Sequence, residues 1–477
     1  MFFNSIDFAI FLPIVFIIYW LTNRNLRLQN IIVVASSYFF YGWWDWRFLS
    51  LILFSTITDY SIGLMLKNQE NQLKRKYLLW LSIIVNLGFL GFFKYCNFFI
   101  DNFNTAFTFF GSDIQANSLN IILPVGISFY TFQTLSYTID VYKRKLEPTS
   151  DFISFAAFVS FFPQLVAGPI ERASNLLPQF YVKRNFDYAK AIDGLKQILW
   201  GLFKKVVIAD NCAEVANQIF NNHLDQSGST LLLGAIFFTF QIYGDFSGYS
   251  DIAIGTARLF GFNLRKNFSF PYFSRDIAEF WRRWHISLST WFRDYLYIPL
   301  GGSKGGTLMR IRNTFIIFIV SGFWHGADWT FIAWGAINAL YIMPSIVYKT
   351  NRKNLDMVAQ GRKFPSIKEF VQVSLTFMLT VFAWIFFRAQ DMTHAMDYIA
   401  GIFSKSLFSA PEHFSIVDGA LISTFMIVEW IGRENEYAIA KMGNTWPKWM
   451  RWTAYYIIIA IIIMYSGKDQ QFIYFQF

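Results

Sequence analysis

The chain has 477 residues, of which 55% are hydrophobic, 21% aromatic and only 15% charged. This balance excludes an ordinary soluble globular protein and predicts an all-α, polytopic integral membrane protein. The formal net charge of +10 does not indicate nucleic-acid binding, because the basic residues fall between apolar segments rather than on one polar domain.

The first apolar segment, Ile6–Leu21, has Asp7 as its one charged residue and lacks the basic leader and cleavage site of a secretory signal. It is predicted to be a retained membrane anchor. Basic residues follow this segment and the third predicted span, whereas residues 101–120 carry Asp but no Lys or Arg. The positive-inside rule then predicts that the N-terminus and the C-terminus, with its FIYFQF ending at 472–477, are extracytoplasmic.

Hydropathy along the whole chain predicts about 11 transmembrane helices, together with re-entrant and interfacial helices. No linker and no repeat period divides the sequence, which predicts a single membrane domain over residues 1–477.

Residues 161–172, FFPQLVAGPIER, carry two prolines and a glycine inside an apolar run. Lipid does not tolerate unpaired backbone groups, so this stretch is predicted to be re-entrant and covered by protein. An ordinary helix end followed by a loop is the alternative.

Asp245 and Asp251 lie among glycines and small hydroxyl residues in the stretch 242–255. Carboxylates near the membrane interior usually face a wet cavity or a partner, because an ion exposed to lipid is costly. Both are candidate substrate-binding residues, although either one could simply cap the start of a helix.

Residues 261–313 contain nine basic against three acidic residues, a net charge of +6. Within them, residues 279–302 place aromatic side chains at helical spacing with arginines on other faces, which predicts an interfacial helix on the cytoplasmic side. Such a helix accounts for Arg282 and Arg283 but not for His285 beside them. Residues 301–306, GGSKGG, lack the Walker spacing, which favours a flexible turn over a phosphate cradle.

Residues 321–329, SGFWHGADW, lie between two apolar runs. If a helix begins at Arg312 on the cytoplasmic side, thirteen residues at about 1.5 Å each carry His325 about 20 Å inward. Residues 326–329 then form a tight polar passage. An ionisable group at that depth is a functional candidate, and an imidazole suits proton transfer near neutral pH. A purely structural histidine is the alternative.

The presence or absence of known catalytic motifs restricts the types of reaction that the chain could catalyse. No Gly-x-Ser-x-Gly elbow and no His-Glu-x-x-His motif occurs, which disfavours a serine hydrolase and a zinc enzyme, and no metal is expected. A single buried base that faces a hydroxyl group would still suffice for acyl transfer from a thioester.

The sequence resembles the membrane-bound O-acyltransferase family, in its bacterial alginate O-acetyltransferase branch. The resemblance is carried by WRRWHISLSTWFRDYLYIPLGGS at 281–303, SGFWHGADWTFIAWGAIN at 321–338, the 161–172 stretch and the FIYFQF ending. It implies that His325 is the catalytic histidine and that His285 is a second family position, which assists catalysis or positions substrate. The adjoining side chains complete the candidate substrate-binding set with the two aspartates: Trp324, Trp284, Arg282 and Arg283.

The resemblance also implies a central tunnel through the bacterial cytoplasmic (inner) membrane, within a catalytic core at roughly 120–345. Through it, acetyl would pass from cytoplasmic acetyl-CoA for O-acetylation of an alginate-like exopolysaccharide or a cell-wall glycan, with an extracytoplasmic acetyltransferase partner. Within the family, D-alanyl transfer from an acyl-carrier protein to teichoic acid is the alternative. A transporter or flippase that relays protons through Asp245, Asp251 and His325 is the alternative from another class, disfavoured because two halves with matching broken helices are not seen.

Overall fold

The structure is a computed structural model that describes residues 1–109, 116–119, 121–166, 168–467 and 470–473. Parts of the predicted extracytoplasmic segment 101–120 and of the 161–172 stretch, and the last four residues of the FIYFQF ending, lie outside the described residues. The described residues form helices and no strand, which confirms the all-α fold class.

The α-helices of the described residues are, in chain order, α1 (Ile6–Leu21), α2 (Leu26–Asp45), α3 (Leu49–Lys67), α4 (Gln72–Leu90), α5 (Cys96–Phe109), α6 (Ile127–Tyr142), α7 (Phe152–Ser160), α8 (Phe162–Leu165), α9 (Ala173–Leu176), α10 (Tyr188–Leu202), α11 (Asp210–Asn221), α12 (Gly228–Leu259), α13 (Ile277–Arg283), α14 (Ile286–Phe292), α15 (Gly306–His325), α16 (Trp329–Val347), α17 (Ile367–Arg388), α18 (Met392–Ile402), α19 (Ile416–Gly432) and α20 (Lys448–Met464). Three π-helical turns interrupt this order, at Gly91–Tyr95, Phe203–Ala209 and Arg293–Tyr297.

The chain divides into two compact units. The first comprises Met1–Ala191 and Thr256–Arg265, and the second comprises Ile192–Gly255 and Lys266–Phe477. Helices α10 and α12 each contribute residues to both units. The single domain over 1–477 with a core at roughly 120–345 stays a prediction.

Five helical segments of the described chain are long and apolar enough to cross a membrane: Leu26–Lys67, Gln72–Phe109, Gly228–Leu259, Trp329–Val347 and Ile367–Arg388. Shorter apolar helices occur at Ile6–Leu21 and Phe152–Leu165. A multi-pass membrane protein is thereby confirmed, whereas the count of about 11 spans is not. The predicted anchor is helical over the whole of its predicted range.

In the first unit, residues 161–166 and 168–171 are buried, as predicted for a stretch covered by protein, whereas its re-entrance stays a prediction. Its one helical turn is α8, which has Pro163 in its first turn, where the missing N–H costs nothing. Glu171 is fully buried and accepts hydrogen bonds from the backbone N–H of Arg265 (2.5 Å) and the side-chain amide of Asn175 (2.7 Å). These bonds satisfy a carboxylate that would otherwise be costly to bury.

In the second unit, α15 and α16 pack closely because two glycines lie at their crossing. A Cβ at Gly322 would meet the carbonyl oxygen of Phe331, and a Cβ at Gly335 would meet that of Phe318. Only a residue without a side chain permits this approach, which sets the position of the last turn of α15.

Candidate active site

His325 is the last residue of α15, and three residues separate it from α16. Gly326 is extended, and the side chain of Asp328 caps α16 by accepting the N–H of Thr330 at 2.8 Å. The predicted polar passage is therefore a short turn whose aspartate serves the helix start. Because α15 already begins at Gly306, the thirteen residues counted from Arg312 to His325 are all helical.

Aromatic rings enclose the imidazole of His325, which is 4% exposed. Its ring centroid lies 4.8 Å from that of Trp324, 5.2 Å from that of Trp334 and 5.3 Å from that of Phe387, all in near-perpendicular arrangements. Edge-to-face packing of this kind restricts the ring to one orientation. The site thus holds a buried, oriented imidazole at a helix end.

His285 lies between α13 and α14 in the left-handed conformation, with φ 44° and ψ 55°. A non-glycine residue rarely adopts this conformation without outside support. The support comes from residues 267–269: Ile286 donates its N–H to the carbonyl oxygen of Asn267, and Ser269 donates to that of Arg283, both at 2.9 Å. The predicted helix over 279–302 is therefore interrupted, because this pairing ends α13 and turns the chain at His285, after which α14 begins at Ile286; its interfacial position stays a prediction.

The hydrogen bond between His285 Nδ1 and Asn267 Oδ1, at 3.0 Å, fixes the imidazole tautomer. The same amide atom accepts the backbone N–H of Ser287 at 3.3 Å and its hydroxyl at 2.9 Å, which identifies it as the oxygen. Nδ1 is consequently the protonated nitrogen. Burial lowers the pKa of His285 from 6.5 to about 3, so the neutral ring is the stable form at neutral pH.

One indole brings the two candidate catalytic histidines together. Trp324 lies 6.1 Å from His285 and 4.8 Å from His325 between ring centroids. Trp284 packs against Trp384 at 5.1 Å, and through it belongs to the aromatic layer around His325. The structure thus places Trp324 against both imidazoles and connects Trp284 to His325 through two further tryptophans.

The two predicted arginines have different surroundings. Arg283 forms a buried ion pair with Glu279 at 2.8 Å and also donates to the carbonyl oxygen of Asp356. Arg282 donates to two carbonyl oxygens, those of Asn351 (2.7 Å) and Asn354 (2.6 Å). A carboxylate therefore neutralises the charge of Arg283, whereas Arg282 is hydrogen-bonded only to neutral carbonyl oxygens in the contacts described.

Asp245 and Asp251 lie inside α12 rather than at its start, so the helix-cap alternative is wrong. Asp245 pairs with Lys205 at 2.9 Å and accepts the N–H of Ile473 at 2.6 Å. Asp251 pairs with Lys204 at 2.6 Å. The Lys205–Asp245 pair is buried, and the Lys204–Asp251 pair is partly buried; the role of both aspartates in substrate binding stays a prediction.

Lys204 and Lys205 were not predicted to be functional residues, although their sequence pattern could have indicated a role. They stand as a lysine pair between apolar residues in the π-helical turn Phe203–Ala209. Gly248 of α12 faces the carbonyl oxygen of Gly201, and this close approach brings the two lysines to the aspartates. A lysine pair inside an apolar run predicts carboxylate partners elsewhere in the chain.

A cavity of about 580 Å³ opens beside this site in the second unit. Five basic side chains contribute to its lining: Arg282, Arg293, Arg310, Lys349 and Arg352. Among the described residues that line it, none is acidic. Its apolar part includes Phe318 and Trp281, and Ser321 lies one helical turn before His325. Trp281 contacts Trp334 at 5.6 Å, so one aromatic layer separates the cavity from the imidazole.

The fold and the site define a helical membrane protein in which a cavity lined by basic and apolar side chains lies one aromatic layer from His325. Residues 48–387 match the family model described as MBOAT, membrane-bound O-acyltransferase family. The chain belongs to this family and is an O-acyltransferase, as predicted.

Relatives with assigned names fall in the same family. The chain is 36% identical to a probable alginate O-acetylase AlgI of Pseudomonas putida, over 99% of each chain. It is 37% identical to a peptidoglycan O-acetyltransferase of Helicobacter pylori, over 82% of this chain and 77% of the relative. It is 29% identical to a teichoic acid D-alanyltransferase of Streptococcus thermophilus, over 54% of this chain and 64% of the relative.

Proposed function

We propose that this enzyme takes acetyl from cytoplasmic acetyl-CoA and passes it toward an extracytoplasmic polysaccharide, with His325 as the catalytic residue. The observation that carries the proposal is the cavity whose basic side chains lead, over an apolar lining, to Ser321 one turn from His325. A donor with phosphates at one end and an acyl thioester at the end of a slender arm matches this polarity.

In the proposed reaction, the acceptor hydroxyl oxygen attacks the thioester carbonyl carbon while His325 takes the hydroxyl proton. The carbon–sulfur bond then breaks, and the proton passes to the departing thiolate, which leaves as the free thiol of CoA. His285 and Trp324 act as positioning residues, since the indole contacts both imidazoles. Arg282 lines the cavity and is assigned to the donor, whereas Arg283 is assigned to supporting the α13 turn.

The relatives support O-acetylation of a polysaccharide as the outcome. Alginate O-acetylase and peptidoglycan O-acetyltransferase relatives cover most of the chain, whereas the D-alanyltransferase relative covers about half. An extracytoplasmic acetyltransferase partner, a bacterial inner-membrane location and extracytoplasmic termini belong to the same proposal. D-alanyl transfer from a carrier protein is the second candidate, and the identity of the donor separates the two.

The test is release of CoA thiol, with labelled acetyl followed in parallel, by the purified full-length protein reconstituted with its native membrane fraction as acceptor source. His325→Ala is expected to abolish turnover of acetyl-CoA while the thermal unfolding midpoint is retained. His413→Ala is the matched control, because this exposed histidine contacts Gln218 away from the described site. Undiminished turnover in His325→Ala, or turnover of D-alanyl carrier protein but not of acetyl-CoA, would contradict the proposal.

A further inference from the structure

A second cavity, of about 920 Å³, lies entirely within the first unit. Residues 178–190 form one side of it, and residues 258–263 and Trp20 form the other. Four basic side chains line it, Lys183, Arg184, Lys190 and Arg258. Among the described lining residues, Asp187 alone is acidic, and it accepts the N–H groups of Ala189 (3.0 Å) and Lys190 (3.1 Å) at the start of α10. The cavity is therefore strongly basic, and we call it the basic groove.

Arg184 is the buried element of the basic groove, with only 6% of its surface exposed. Its guanidinium donates to the carbonyl oxygen of Gln179 (3.1 Å) and to the side-chain oxygens of Gln29 (3.2 Å) and Asn30 (2.6 Å). All three acceptors are neutral. Within the described part of the chain, its Nε–H has no hydrogen-bond acceptor. A buried cation without a counter-charge is costly, so an anion at this place would complete the site.

The surroundings of the basic groove indicate where that anion comes from. Trp20 is the penultimate residue of the apolar helix α1, and its indole donates to the carbonyl oxygen of Leu259 at 3.1 Å. Phe186 packs on that indole at 5.3 Å. Val182 and Tyr188 beside it are 63% and 71% exposed. Exposed apolar residues, an aromatic pair and lysines at the end of an apolar helix are typical of the level of the lipid headgroups.

We propose that the basic groove is a binding site for the phosphate headgroup of an anionic phospholipid, with Arg184 as its buried anchor and Lys183 and Lys190 at its exposed rim. The planar guanidinium recognises phosphate oxygens through more than one N–H, and the lysines add attraction without fixed geometry. Acyl chains of the same lipid would cover Val182 and Tyr188. None of the residues that line the basic groove is among those assigned to acyl transfer.

The test is native mass spectrometry of the full-length protein in detergent, titrated with phosphatidylglycerol and with phosphatidylcholine. The parent protein is expected to bind phosphatidylglycerol about 25-fold more tightly than phosphatidylcholine. The double variant Lys183→Gln/Lys190→Gln changes two exposed positions. It should weaken the binding of phosphatidylglycerol by about fivefold for each lysine and abolish the preference for this lipid. The matched control, Lys74→Gln/Lys76→Gln, removes the same charge from exposed positions in α4 and should keep the preference.

Arg184→Lys is the second variant, because it keeps the charge and removes the planar fork. It should bind phosphatidylglycerol more weakly than the parent does, while its thermal midpoint in phosphatidylcholine stays near that of the parent. Equal losses in the groove variant and its control would reveal diffuse surface attraction and overturn the proposal. Displacement of the lipid by inorganic phosphate or by acetyl-CoA at millimolar concentration would overturn it too, since the groove would then serve a soluble anion.

Discussion

The crossing of α15 and α16 gives a direct test of how the fold holds His325. Gly322 lies three residues before His325, and a Cβ placed on it would fall well inside the 3.0 Å limit for real contacts, against the carbonyl oxygen of Phe331. That obstacle is backbone, which cannot rotate away like a side-chain tip. Gly322→Ala must therefore push the two helices apart at their closest point.

The expected loss of unfolding free energy in Gly322→Ala follows from the close packing of the two helices. Overpacking of a close contact costs about 1–3 kcal/mol, and the better helix propensity of alanine returns about 1 kcal/mol of that. The expected net loss of unfolding free energy is on the order of 1–2 kcal/mol. Activity should fall further than stability, because a displacement of about 1 Å in a catalytic group can cost about 100-fold in rate.

The assay is the thermal unfolding midpoint in detergent, together with acetyl-CoA turnover on the same preparation. Gly88→Ala in α4 is the matched control, because a Cβ there meets nothing within 4 Å and should leave both quantities unchanged or raise the midpoint slightly. If Gly322→Ala unfolds and turns over like Gly88→Ala, the close crossing does not position His325 and the reasoning fails.

Three further predictions concern charges. His285 has a folded-state pKa of about 3 against an ordinary value of 6.5, so the unfolded chain takes up a proton first as the pH falls. Stability should thus decline between those values by up to about 1.4 kcal/mol per pH unit, and His285→Gln should flatten the pH dependence of the unfolding midpoint. Arg310→Gln and Arg352→Gln should each raise the KM for acetyl-CoA about fivefold at unchanged kcat, with no effect on acetyl-pantetheine, which lacks the nucleotide phosphates. Lys205→Met should destabilise the fold by about 3–5 kcal/mol, because it leaves buried carboxylates unpaired, and adding Asp245→Asn should recover part of that loss in denaturant melts.

The structural features that depend on local composition could be predicted from short stretches of the sequence. The apolar runs predicted an all-α membrane chain, and Ile6–Leu21 is helical over its predicted range. His325 stood out because an ionisable residue followed an apolar run, and the structure places it at the end of α15. The same reasoning singled out His285 as unexplained by an interfacial helix. These inferences need only a window of about 20 residues.

The errors arose where distant segments decide the conformation. The helix over 279–302 breaks at His285 because residues 267–269 pair with the backbone beside it, and periodicity cannot register that pairing. The helix-cap alternative for Asp251 failed because α12 begins at Gly228, and the partner of Asp251, Lys204, lies 47 positions earlier in the chain. The count of about 11 spans stays a prediction, since hydropathy does not separate a spanning helix from a buried one.

Two arginines of the cavity differ from the buried basic residues in whether a carboxylate pairs with them. Arg283 and Lys205 are buried with carboxylate partners, and each makes its charge-assisted bonds without any ligand. In the cavity beside His325, by contrast, no described carboxylate forms an ion pair with Arg310 or Arg352. A basic side chain that lines a cavity and lacks a counter-charge favours an anionic ligand. The ligand supplies the negative charge that no side chain of the fold provides. That contrast, rather than the total of +10, supports the proposal that the cavity binds a phosphate-bearing donor, whereas the role of Asp245 and Asp251 stays a prediction.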